Sequence, residues 1–100
     1  MTISATELKR IVLEAVSEDY ESFESVVRKL SRMNKIIDGR HDADRVERSL
    51  LCSVASRLVG AYLIHADPPY ATEISADLDT ARKCWFHITD EGKDYLNRTS

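Results

Sequence analysis

Glycine and proline are scarce in this chain, with three glycines and two prolines in one hundred residues. The glycines stand at positions 39, 60 and 92, too widely spaced for a loop that cradles phosphates, which excludes the common nucleotide-binding motifs. There are only two cysteines, Cys52 and Cys84; they provide no disulfide framework and suit a reducing compartment. No apolar run approaches the ~20 residues that a membrane span requires. The N-terminus lacks the basic-then-apolar order of a signal peptide. These absences predict a cytoplasmic protein without a membrane partner, and the length predicts one domain covering residues 1–100.

Catalytic signatures are missing too. None of the ten serines and neither cysteine falls in a strand-to-helix elbow or a glycine-rich loop. A metal site would need three or four converging ligands from among Cys52, Cys84, His41, His65 and His87. Cys84-x-x-His87 has ligand-like spacing, but on a strand the two side chains would point to opposite faces. Neither an enzyme nor a bound cofactor is expected.

What the chain does have is an uneven distribution of charge. The formal net charge is −3. Residues 1–27 carry two basic and six acidic side chains, residues 28–60 eight and four, and residues 61–100 four and seven. The middle third is therefore basic between two acidic flanks, and a local field of this kind matters more to a phosphate backbone than the global sum does.

Three amphipathic helices are legible. Ser4 and Glu7 form a capping box, with Ile3 and Leu8 as a hydrophobic staple, and Leu8, Ile11, Val12, Ala15 and Val16 follow the helical rhythm. Ser22 is a candidate cap for a second helix whose stripe is Phe23, Val26, Val27, Leu30 and Met33. Residues 34–43 break the pattern, and Asp38-Gly39 signals a turn. Asp42 or Asp44 would then cap a third helix, with Val46, Leu50, Leu51, Val54 and Leu58 as its apolar side and Gly60 ending it in the left-handed conformation.

After Gly60 the period changes. Residues 61–66 and 82–88 read as two strands of a hairpin joined by a long tip through Asp67-Pro68-Pro69-Tyr70. Trp85 and Phe86 cannot share a face, so one of them is expected to point outward. Thr89 caps a short last helix over 90–97. The expected core is Leu8, Ile11, Val12, Val26, Val27, Leu30, Leu50, Val54, Leu58, Leu63, Ile88 and Leu96, and segments 34–43 and 67–81 are expected to be mobile.

The stretch from Arg48-Ser49-Leu50-Leu51 through Val59-Gly60-Ala61-Tyr62-Leu63 resembles the recognition helix and first wing strand of winged-helix regulators. Trp85-Phe86-His87-Ile88-Thr89-Asp90-Glu91-Gly92-Lys93-Asp94-Tyr95-Leu96 is similar to their closing pattern, aromatic, hydrophobic, Thr-x-x-Gly, aromatic-Leu, which is common in the PadR-like and MarR-like groups. The resemblance covers roughly residues 5–97. It implies an α+β winged helix-turn-helix fold, with a three-helix core, a two-stranded wing and a short C-terminal helix. It also implies transcription regulation through double-stranded DNA; a homodimer is expected because a single small module buries little DNA surface.

On a helical wheel of about 100° per residue, Arg45, Arg48, Ser49, Cys52 and Ser56 fall opposite the apolar stripe of the third helix. Arginine can grip guanine through two hydrogen bonds, and serine can bond base edges or phosphates. Arg28, Lys29 and Arg32 on the second helix, Lys35, Arg40 and His41 in the turn, and Arg82 and Lys83 at the wing base are candidate phosphate contacts. The alternative is a winged-helix module that binds a protein partner in a larger assembly. It is favoured by the long turn before the third helix and by a tip holding Asp67, Glu73, Asp77 and Asp79 with no Lys or Arg between positions 66 and 81.

Overall fold

A computed structural model of the chain describes residues 3–33, 40–77 and 80–99, with the side chains of Arg40 and His41 outside the description. It is an α+β arrangement of four helices and one four-stranded antiparallel sheet. The first helix, α1, spans Ala5–Ala15, and the Ser4 hydroxyl accepts a hydrogen bond from the Glu7 backbone N–H at 3.1 Å. Ile3 packs on the core beside it. The short strand β1, Glu21–Ser22, leads into α2, Phe23–Arg32, which is capped by Ser22 accepting from the Ser25 N–H at 3.1 Å.

Helix α3 spans Arg40–Ala55, so Asp42 and Asp44 lie inside it rather than at its cap. Residues 40–43, expected to be mobile, are helical; the rest of that segment, 34–39, lies outside the described residues. Gly60 does not end the helix. Arg57 does, at φ 64°, with its N–H bonded to the Val54 carbonyl at 3.0 Å and the Leu58 N–H to the Ser53 carbonyl at 2.9 Å. This is the paired 5→2 and 6→1 closure that usually employs glycine. The physical reason for the misplacement is that hydrogen bonds to the last carbonyls, not residue preference, fix the stop. Arg57→Gly should therefore stabilise the fold by about 0.5–1 kcal/mol, the left-handed penalty less the entropy of glycine. A lower urea midpoint would show that the Arg57 side chain supplies contacts that outweigh its strain.

Three further strands follow: β2, Val59–Ile64; β3, Ala71–Ile74; and β4, Trp85–Ile88. The sheet order is β1-β4-β2-β3. Pairing of β2 with β4 matches Ala61 to Phe86 and Tyr62 to Trp85. The two-stranded hairpin over 61–66 and 82–88 is thus corrected to a larger sheet. Strand β3 lies within the expected mobile tip and pairs with β2 from Ala61↔Ile74 to Ile64↔Ala71, after a reversal closed by the His65 N–H on the Tyr70 carbonyl at 2.8 Å. Ala81–Lys83 form a single 3-10 turn instead of strand. Ala71-Thr72-Glu73-Ile74 carries too little alternation to stand out in sequence; its backbone pairing with β2 makes it a strand.

The core gathers Leu8, Ile11, Val12, Leu13, Val16, Val26, Leu30, Val46, Leu50, Val59, Phe86 and Ile88, with Val27, Val54 and Leu96 half-buried against it. Leu63 is the misassigned core residue, at 41 % exposed. Burial along strand β2 ends after Ala61, and among the described residues no helix covers its inner side at Leu63. Phe86 is fully buried while Trp85 stays exposed, as alternation requires. On the outer face the Tyr20 ring meets Tyr62 edge-on at 5.0 Å and His87 at 5.2 Å. Burial, the Glu73 carboxylate and Tyr20 together push the Tyr62 hydroxyl above its ordinary value.

Helix α4 spans Asp90–Thr99. Thr89 caps it, its hydroxyl accepting from the Gly92 N–H at 3.0 Å while donating to the Arg57 carbonyl at 2.6 Å. Gly92 lies so close to the Leu58 backbone carbonyl that no side chain fits between them. Among the described residues no helix is long and apolar enough to cross a membrane.

Candidate nucleic-acid interface

Helix α3 presents four aspects. Val46, Leu50 and Ser53 face the core. Asp44 and Glu47 face the 3-10 turn, where each accepts from the Arg82 guanidinium at 2.8 Å. The hydrogen bond to Glu47, outweighing partial burial, keeps Arg82 above its ordinary value, and the guanidinium also lies 4.8 Å from the centre of the Phe23 ring. Arg45 and Ser49 turn toward α1. Arg48, Cys52 and Ser56 are exposed to solvent.

The candidate contact residues therefore divide by whether a partner inside the fold already holds them. Arg45 donates to the Ile3 carbonyl at 2.6 Å. The Lys29 ammonium donates to Glu21 at 2.5 Å and to the Ala15 carbonyl at 3.1 Å. Burial raises the Glu21 carboxyl, but the hydrogen bonds from Lys29 and Ser25 and the lysine charge outweigh it and leave the group below its ordinary range. Arg28 makes a loose 3.5 Å pair with Glu24 on the open surface. Arg32 and Lys83 are exposed and have no ion-pair partner among the described residues, and the same holds for Arg48. Lys35 and the side chain of Arg40 lie outside the described residues.

The sequence reading missed Lys9. It sits on α1, across a groove from Arg48, with its ammonium 4.5 Å from the centre of the Tyr95 ring. Ala5, Lys9, Arg45, Arg48, Ser49 and Cys52 line this groove, and none of them is acidic. The missing signal was tertiary: Lys9 belongs to an acidic segment of sequence, and only the packing of α1 on α3 brings it beside the basic third. The Ser49 hydroxyl oxygen is buried without a hydrogen-bond partner among the described residues.

Cys84 is buried. Burial is the main cause raising its thiol, and the thiol donates to the Thr80 carbonyl at 3.2 Å. His87 lies on the opposite, outer face of the sheet beside Tyr20. Among the described residues no three His, Cys, Asp or Glu side chains converge as metal ligands. The chain matches no protein-family model, no curated protein and no solved structure.

Proposed function

We propose that the chain is a winged-helix DNA-binding domain that places α3 in the major groove and acts as a transcriptional regulator, paired with a second copy across a two-fold axis. The observation that carries this reading is the cationic, carboxylate-free strip formed by Lys9 and Arg48 along the open side of α3. The element order supports it: three helices, then antiparallel strands, with β1 from between the first two helices added at the β4 edge. Arg48 and Ser56 would meet base edges. Lys9, Arg32 and Lys83 would meet phosphates, which give position but no sequence information. Lys29 and Arg82 are already paired with carboxylates of the same chain.

The test is binding to a randomised duplex pool, followed by titration of salt on the selected site. The slope of log K against log salt should be roughly −0.9 per phosphate contacted. Arg48→Ala should cost about 1–3 kcal/mol at the selected site and relax its preference, whereas Lys9→Ala should weaken all duplexes alike. If no duplex is retained at low salt, the reading fails.

A second reading, a module that docks on a protein, is favoured by the uncovered aromatic face of the sheet. Tyr20, Ile64 and Trp85 are exposed there around Tyr62, which pairs across the strands with Glu73. Pull-down by the wild type that is lost in Trp85→Ser, with no duplex retained, would select this reading.

A further inference from the structure

Strand β3 forms an open edge of the sheet. It is last in the strand order, and its far side meets no other strand among the described residues. The bond from the His65 N–H to the Tyr70 carbonyl fixes the alternation along β3, because opposed residues in an antiparallel pair are bonded at every second position. Tyr70, Thr72 and Ile74 thus turn their backbone groups toward β2. Ala71 and Glu73 turn theirs outward, and no turn or loop bond closes on either among the described residues. Edge strands are normally guarded by a lysine, a proline or a bulge. Ala71-Thr72-Glu73-Ile74 has neither lysine nor proline, and it pairs with β2 without a skipped residue.

Beside that edge lies a groove of about 620 Å³. Leu51, Val54 and Ala55 of α3 form one wall, and Ala61, Ile74 and Ala76 the other. Val54, Ile74 and Ala76 are only partly buried there. Arg57 is the one cation in the lining and Glu73 the one carboxylate. A strand laid along β3 would send alternate side chains toward this groove and the others to the outer face, next to Glu73. The first set must be apolar to match Leu51, Val54 and Ile74. The second set must match charge. Asp67, Glu73 and Asp77 are exposed around the edge, and residues 66–81 hold no Lys or Arg. A second copy of this chain would bring the same acids to the same edge, and like charges set opposite each other are unfavourable. A basic strand has the complementary charge.

We propose that β3 accepts an extended basic segment of another protein as a fifth strand, its apolar side chains in the groove beside α3 and a lysine or arginine facing Glu73. In strand addition of this kind the main-chain hydrogen bonds give affinity, and pockets for alternate side chains give specificity. The inference goes beyond the DNA reading and is measured without DNA, so either can fail alone. The acidic tip, unsuited to phosphate, then has a partner of its own.

The probe is the peptide Lys-Val-Lys-Val-Lys-Val, acetylated and amidated at its ends, with Glu-Val-Glu-Val-Glu-Val as the charge-reversed control. A third peptide keeps the lysine and valine side chains but is N-methylated along its backbone, so it has no N–H to donate to a ladder. Titrated into the ¹⁵N-labelled chain, the lysine peptide should give saturable shifts at residues 54, 71–74 and 76, and the other two should give none. Ala71→Pro removes one outward N–H and leaves the bonds to β2 in place, so it should weaken binding about fivefold to tenfold, the loss of one hydrogen bond. Glu73→Lys should weaken the lysine peptide roughly threefold, as expected of an exposed charge pair. Each variant's thermal midpoint checks that it is folded. The proposal is overturned if the lysine peptide fails to saturate, if either control peptide binds as tightly, or if folded Ala71→Pro binds like the wild type. Concentration-dependent shifts at the same residues without any peptide would make a second copy the occupant and overturn it as well.

Discussion

Gly92→Ala is expected to destabilise the protein by about 2–3 kcal/mol, although alanine is the better helix former by about 1 kcal/mol. A Cβ at this position would overlap the Leu58 carbonyl and come within 2.6 Å of Ile88 Cγ1. The carbonyl belongs to backbone that also accepts the Thr89 N–H at 3.0 Å, so it cannot turn aside alone. Helix α4 must lift, uncovering the side of α1 where Tyr95 and Leu96 pack. Urea denaturation measures the loss. A midpoint at or above that of the wild type would mean that α4 can slide without penalty and that the close contact does not hold it.

The other large effect belongs to Phe86. It is fully buried at the centre of the sheet's inner face, opposite Ala61 on one side and Glu21 on the other. Phe86→Ala should cost about 3–5 kcal/mol, because the neighbouring main chain is held by two ladders and cannot collapse into the void. Trp85, one residue earlier and 38 % exposed, has less contact to lose. Trp85→Ala should therefore be the milder substitution despite the larger side chain. A larger cost for Trp85→Ala than for Phe86→Ala would mean that β4 pairs in another register, since a slip of one residue exchanges the two faces.

The helices were legible because their signals are local. Ser4 and Ser22 cap where their spacing places them, and Thr89 does the same for the last helix. Signals that depend on distant partners were not legible. Arg57 looks like any polar residue until the carbonyls of Ser53 and Val54 are seen to require a left-handed residue there. Strand β3 has no pattern of its own and takes its form from β2. Leu63 reads as core because sequence alternation cannot show where the covering layer ends.

The candidate surface shows the same division. A positive middle third is a statement about composition, whereas a positive face depends on which cations remain unpaired. Arg82, distant in sequence from Asp44 and Glu47, binds both, and Lys29 is drawn to Glu21. Lys9 joins the surface from a segment whose composition is acidic.

The bonds around residues 88 and 89 also bear on how the chain comes together. The Ile88 N–H donates to the Val16 carbonyl, just past α1, at 3.0 Å, and the next residue grips Arg57 and Leu58, just past α3. The exits of two helices are thus tied to one point near the end of the chain, across sequence separations of 72 (from 16 to 88) and 32 (from 57 to 89) residues. Closing loops of that length comes before the contacts that reward it. During synthesis the first three helices emerge with their core still lacking Phe86 and Ile88, so the domain completes itself only when its last strand has arrived.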